Sequence, residues 1–407
     1  MISPERGFFL CPIHFRVFII KQKCYDTGMK NNIFFNFIVS VIIFIGFFCL
    51  GYGAYNALLK PEPLKKATLF VFPHYQKNKA FDMHYGSYNY RYIFPALQQM
   101  FLKHGYKLAT QDIHPMNESD LIFIAWPYAP KPPTDKKEVS YLWLFESPIG
   151  IKMPLDEEDA LKYNKIFTYN KIIADGKKYI HLYDPYRFDV WDLSDDDIKN
   201  KDLFVIQIAS NFVYPAASNT IYEERRTATT WFLQNHPDTY TLYGKGYWKI
   251  YRDKLTPELR EIFDSRYKGT AKNKKEMMCR AKFALVYENT RYNDYVSEKI
   301  YDAINVGTVP IYLGAPNIRE YVPEACFIDK DKFGTYDELY DFIINMSDKE
   351  YMSYISCMKD FVSPQNKTRI QDIDKAVQTI EKTIFHQTPK QQFIENIRCF
   401  IQKILPF

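Results

Sequence analysis

Residues 283–316, FALVYENTRYNDYVSEKIYDAINVGTVPIYLGAP, constrain this chain more than any other stretch. Phe283 to Tyr287 is a short apolar run of the kind that forms a buried strand. A polar, aromatic loop follows and ends in Tyr295-Val296-Ser297-Glu298-Lys299. Ile300, Ala303 and Ile304 then recur at helical spacing up to a Gly307 stop. A second apolar run, Val309 to Leu313, closes at Gly314 and Pro316. Strand, loop, helix, strand makes a βαβ unit with its polar residues at the carboxyl end of the first strand, where open α/β sheets bind ligands. A helix that starts there aims unpaired N–H groups and a partial positive charge at whatever lies in front. Lys299 in the first turn adds a full charge at the end of the helix that repels cations, and a bound anion accounts for it.

The chain before this unit alternates strand and helix patterns, which implies parallel sheets covered by helices. Ile33 to Leu50 is almost unbroken apolar sequence and, continued to Tyr55, approaches the roughly 20 residues that span a bilayer. An uncleaved signal-anchor over 31–55 is expected, with a cytoplasmic segment 1–30 before it. A cleaved signal peptide starting at Met29 is the alternative. Residues 56–66, which include PEPLKK, read as a stem linker. Strands are expected at Thr68 to Phe72, Asp120 to Trp126, Val139 to Phe145 and Ile166 to Tyr169, with a helix over Asn89 to His104. Polar composition near residue 200 marks a boundary between a first domain, 67–200, and a second, 201–365. Amphipathic helices at Asp372 to Phe385 and Gln392 to Leu405 close the chain in a C-terminal segment, 366–407.

Two acidic features need opposite readings. Glu146 ends an apolar strand in an aromatic setting and is followed by Pro148, which forces a turn at the cleft side of the domain. Partial burial there raises a carboxylate's pKa toward that of a useful general base. Asp195-Asp196-Asp197 follows Ser194, a good N-cap, and acids are favoured in a first helical turn, so it reads as a helix start or solvated linker rather than a metal site. The net charge of +5 suits an anionic small molecule, but no dense basic stripe marks a nucleic-acid partner. Seven cysteines form neither a CxxC nor a metal spacing, and sequence leaves open whether Cys279, Cys326, Cys357 and Cys399 pair.

The 283–316 stretch resembles the signature of glycosyltransferase family 10, the α-1,3/1,4-fucosyltransferases. The matching residues are Tyr287-Glu288-Asn289, Tyr295-Val296-Ser297-Glu298-Lys299-Ile300, and Val309-Pro310-Ile311 running to Gly314 and Pro316. Phe145-Glu146-Ser147-Pro148 matches a second block, whose glutamate is the family's base. Ser210-Asn211 and an arginine near the following helix start match a third. Arg226 fits that arginine best and Arg225 is the neighbouring alternative. Tyr243-Gly244 matches a fourth block, ahead of a basic, disordered-looking loop, KGTAKNKKE. The chain departs from the pattern after Ile166–Tyr169, where Asn170-Lys171 stands in place of the usual arginine. It also lacks the CxxC near the C-terminus of the animal enzymes.

The resemblance implies a GT-B-type α/β fold of two facing Rossmann-like domains, acceptor on the first and GDP-fucose on the second. It implies inverting transfer of L-fucose to a hydroxyl, O3 of GlcNAc or a related sugar, in a glycoprotein, glycolipid or lipopolysaccharide. Glu146 is the expected base. Ser210, Asn211, Arg226, Tyr243, Glu288, Asn289, Tyr295, Glu298 and Lys299 are expected to bind the donor. No cofactor or divalent metal is expected, because Arg226, Lys299 and helix amides can meet the diphosphate charge. The expected location is a single-pass type II membrane protein, in the Golgi if eukaryotic and the inner membrane if bacterial. Two other readings are a GT-B enzyme using a different nucleotide sugar and a non-catalytic, membrane-anchored glycan-binding protein.

Overall fold

The computed structural model describes residues 63–385, apart from 86–89, 127, 150–154, 190, 192, 213–219 and 367–371. The N-terminal segment, the signal-anchor at 31–55 and the Gln392–Leu405 helix lie outside these residues. Among the described residues no helix is long and apolar enough to cross a membrane.

Eleven described strands form two wholly parallel sheets. The first holds β1 (Lys65–Phe70), β2 (Tyr106–Thr110), β3 (Leu121–Ile124), β4 (Ser140–Leu144), β5 (Lys165–Thr168) and β6 (Tyr179–His181), in the order β2-β1-β3-β4-β5-β6. The second holds β7 (Leu203–Ile208), β8 (Tyr240–Tyr243), β9 (Ala281–Tyr287), β10 (Val309–Leu313) and β11 (Ile328–Asp329), in the order β11-β10-β9-β7-β8. Strands β3, β4 and β10 are buried along their whole length, as parallel strands covered on both faces must be. Pro310 survives inside β10 because the short β11 pairs only with Ile311 and Tyr312.

Several expectations shift here. The first strand begins at Lys65, inside the stretch read as stem linker, because Lys65 and Lys66 pair with Tyr106 and Lys107. Strands β2, β6 and β11 carry too few apolar residues to announce themselves. Asp195–Lys199 is a helix closed by a capping box in which Ser194 and Asp197 satisfy each other's backbone N–H groups. The basic loop is partly ordered: Asn273 caps a helix over Lys274–Cys279.

The helix Ile373–Ile384 packs on the first sheet's core rather than on the second half that precedes it. Ala376 and Ile380 enter the cluster built on the Tyr90–Lys103 helix, and Glu381 bonds Lys103 and His104.

Cys326 and Cys357 form a disulfide that ties the segment before β11 to the Asp348–Val362 helix, while Cys279 is free. Cross-linking a loop of 31 residues removes roughly 3–4 kcal/mol of unfolded-chain entropy. Reduction, or Cys357→Ser, is expected to lower unfolding stability by about that amount, read as a shift in denaturation midpoint. An unchanged midpoint would show that the bridge constrains nothing.

Candidate functional site

Three features position the loop after β9. Glu288 follows the strand directly, and its backbone N–H bonds the Leu313 carbonyl at the end of β10. Its side chain is fully buried and accepts from the Ser297 N–H at 2.9 Å, the Ser297 hydroxyl at 2.7 Å and Lys299 Nζ at 3.2 Å. Gly314 permits this approach: a Cβ there would sit 2.5 Å from Glu288 Cγ. Ser297 caps the Glu298–Asn305 helix, whose buried Ile300, Ala303 and Ile304 seat it against the sheet. Gly307 ends the turn at φ 65°, where a side chain would strain.

Glu288 is therefore not a cleft-facing group. It closes the loop back onto Ser297 and fixes the Lys299 ammonium, which also bonds Ser297 Oγ at 2.9 Å. Burial alone would lower the Lys299 pKa, but Glu288 and Glu298 reverse the sign and hold it above its ordinary value. Burial alone would likewise raise the Glu298 pKa. The Lys299 and Lys274 ammoniums outweigh it and hold Glu298 at about 2, against an ordinary 4.5. Lys274, from the basic loop, reaches this helix through Asp302 at 2.6 Å.

The two neighbouring arginines take different parts. Arg225 is buried and donates to the carbonyls of Ser210, Tyr287 and Glu288 and to Asn289 Oδ1, so it knits the loops after β7 and β9 together. Arg226 keeps some exposure and bonds Asn211 Oδ1 at 2.6 Å and the Glu223 carboxylate. Asn211 is itself buried, pinned by backbone bonds to Lys245 and Tyr247. Asn289 spans Arg225 and the Tyr295 hydroxyl. Tyr243 ends β8 with its hydroxyl on Met277 Sδ at 3.3 Å. The structure thus brings Arg226, Lys299 and Glu298 to the carboxyl edge of the second sheet. Glu288, Asn289 and Asn211 brace them from behind.

Glu146 lies at the carboxyl edge of the first sheet, one residue beyond Phe145. Burial raises its pKa; Lys299 pulls it down and Glu298 pushes it up again. The carboxylate at the end of β4 thus feels the charged pair that opens the helix after β9. Tyr169 donates to the Glu146 carbonyl at 3.3 Å, and its ring lies 5.5 Å from that of Tyr295.

Asp184 carries little signal in the sequence. It follows β6, a three-residue strand with little pattern, so only its place in YDPY could have marked it. Burial raises its pKa well above the ordinary value, and Glu298, Glu146 and Glu288 raise it further. Tyr90 belongs to the same surroundings, its ring stacked on Phe94 and edge-on to Phe145.

Residues 200–399 match glycosyltransferase family 10 (fucosyltransferase), C-terminal. An α-(1,4)-fucosyltransferase of Arabidopsis thaliana is 36% identical over 102 residues, 24% of this chain and 25% of that protein. A 4-galactosyl-N-acetylglucosaminide 3-α-L-fucosyltransferase 9 of Mus musculus is 37% identical over 84 residues, 20% of this chain and 23% of that protein. The chain thus aligns with about a quarter of the length of these curated relatives. In three dimensions, the crystal structure of an α1,3-fucosyltransferase with GDP superposes at a TM-score of 0.50 with 18% identity, covering 81% of this chain and 93% of that one. That likeness carries the fold, two parallel sheets with helices in a GT-B-type arrangement.

Glu298 supplies a pH test. Its folded pKa lies below its unfolded value, so its contribution to stability is present above about pH 4.5 and is lost as pH falls through about 2. Glu298→Gln is expected to flatten the loss of stability across that window, measured by denaturation at stepped pH. An unchanged acid profile would mean that the Lys299 and Lys274 charges do not act on it. By the match over residues 200–399, that region of the chain belongs to glycosyltransferase family 10 (fucosyltransferase).

Proposed function

We propose that this protein transfers L-fucose with inversion from GDP-fucose to a hydroxyl, O3 of GlcNAc or a related sugar, in an acceptor glycan. The observation that carries this reading is the pairing of a raised-pKa carboxylate, Glu146, with the Glu298–Lys299 pair of the opposite sheet. In the proposed reaction Glu146 takes the proton of the acceptor hydroxyl as its oxygen attacks the anomeric carbon. The C–O bond to GDP breaks, and the leaving diphosphate's new charge is met by Arg226, Lys299 and the amides opening the Glu298–Asn305 helix. No divalent metal enters the chemistry on this reading. Ser210 and Tyr243, at the ends of β7 and β8, and Tyr295 would frame the donor, with Asn289 bracing Tyr295.

An aromatic surface at the ends of β1 and β3 suits the acceptor. The Phe72 ring lies 5.4 Å from Trp126 and 5.9 Å from His74. Burial and the nearby Lys245 both lower the His74 pKa, so it presents a neutral ring. Flat, partly exposed rings stack on the C–H faces of a pyranose. We further propose that residues 31–55 anchor the chain in a membrane as a single-pass type II protein.

Glu146→Ala is expected to lower fucosyl transfer from GDP-fucose by about 10²- to 10⁴-fold while GDP affinity stays nearly intact. Normal turnover in that variant would overturn the base assignment. Because the folded pKa of Glu146 is raised, ionisation opposes folding near neutral pH, and Glu146→Gln is expected to raise the melting midpoint even as it lowers transfer like the alanine variant.

A further inference from the structure

The halves are joined by residues 183–189, for example Tyr186 on Asp302 and Asp189 on Asn305, and by two short segments near the site. On the first side are Tyr169, Asn170 and Lys171, the residues just beyond β5. On the other are Tyr292, Asp294 and Tyr295, in the loop between Glu288 and Ser297. Tyr169 lies against Tyr295, the rings 5.5 Å apart. Asn170 Nδ2 donates to the Tyr292 hydroxyl at 2.9 Å. The Lys171 backbone N–H donates to Asp294 Oδ2 at 3.1 Å, and its ammonium lies 3.5 Å from Asp294 Oδ1 and 2.6 Å from Glu320. The same ammonium sits over the Tyr321 ring at 4.9 Å.

Asp294 is the unusual member. It holds φ at 66°, a left-handed conformation uncommon outside glycine and tolerated by aspartate. Its side chain is 3% exposed and accepts from Asn317 Nδ2 and the Tyr321 hydroxyl, each at 2.8 Å, besides Lys171. Burial would raise its pKa, but these partners hold it low, so the buried group is a carboxylate facing a cation. The Glu320 pair is largely exposed and contributes little. The Asp294 contact is the one shielded from water, where charge acts most strongly.

The geometry points to Lys171 as a positioning residue: the 169–171 segment is a strut that sets the distance and angle between Glu146 and the donor loop. One end touches the base, since Tyr169 donates to the Glu146 carbonyl. The other end grips Asp294, next to Tyr295 and three residues before the Ser297 cap. Lys171 is the only cation that the strut sends into the second half. The segment where the chain departs from its family's usual arginine is thus occupied by a residue that joins the halves. This inference rests on the fucosyl-transfer reading for what is positioned, though the strut itself is a property of the fold.

The test compares Lys171→Met and Lys171→Arg in the full chain. The readouts are kcat and KM with GDP-fucose and N-acetyllactosamine, the GDP dissociation constant, and hydrogen exchange of residues 288–297. Asp294 keeps Asn317, Tyr321 and the backbone N–H of residue 171 in both variants, so the loop retains its fold. Lys171→Met is expected to lower kcat by about ten- to a hundredfold, the cost of misaligned reacting groups, and to speed exchange in 288–297. GDP affinity should stay within about twofold, because the diphosphate groups are all on the second half. Lys171→Arg should restore kcat to within roughly threefold by keeping the charge. A lower melting midpoint with unchanged kcat would make Lys171 merely structural, and unchanged exchange would also overturn the strut. If the wild-type chain transfers no fucose, the transfer reading fails by itself and the exchange comparison still decides the strut.

Discussion

The site depends on one buried interaction, the Glu288 carboxylate clamped on Ser297 and Lys299. Taking a carboxylate fully out of water costs several kcal/mol. Three charge-assisted hydrogen bonds, at about 1.5–3 kcal/mol each, offset that cost without a large surplus. The clamp therefore specifies shape more than it adds stability. It closes a loop of fixed length, sets the first turn of the Glu298–Asn305 helix, and holds the Lys299 ammonium where a mobile side chain would otherwise sweep through solvent. Gly314 belongs to the same device, because any side chain there would push the clamp apart.

From that clamp the charges build outward in sequence. Against burial, Lys299 is raised by Glu288 and Glu298, and Glu298 is depressed by Lys299 and Lys274. Glu146 and Asp184, with no ammonium of their own, are left with burial as the dominant influence and are raised. Two carboxylates kept ready to hold a proton thus stand near two groups kept charged. Separating titratable groups in this way is how a site prepares for acid–base work at neutral pH. The cost falls on stability, since raised carboxylates oppose folding when ionised.

How much of this could be read beforehand depended on whether the signal was local. The βαβ unit around 283–316 was visible because strand, cap, helix and glycine stop each obey short-range rules. Glu146 was visible from a strand end followed by a proline. The assignment of Arg226 over Arg225 also rested on local spacing, and burial now separates them, one bracing and one partly exposed. Glu288 reads from sequence as a donor contact because nothing there tells a buried carboxylate from a cleft-facing one. Asp184 and β6 escaped notice because three residues carry no period. Lys274 reads from sequence as part of a disordered-looking basic loop, since its partner Asp302 is 28 residues away. Lys171 showed only as a mismatch, and its meaning needed Asp294, 123 residues further on.

On the proposed reading, a second-half site built on Lys299, Arg226 and the helix amides receives a guanosine diphosphate. Titration of the protein with GDP, UDP and ADP by calorimetry, with a chelator present, tests it most directly. Clear binding of GDP in preference to UDP and ADP is expected without added metal. Preference for UDP or ADP would contradict the fucose donor while leaving the phosphate site standing, and binding of none would contradict the donor site itself.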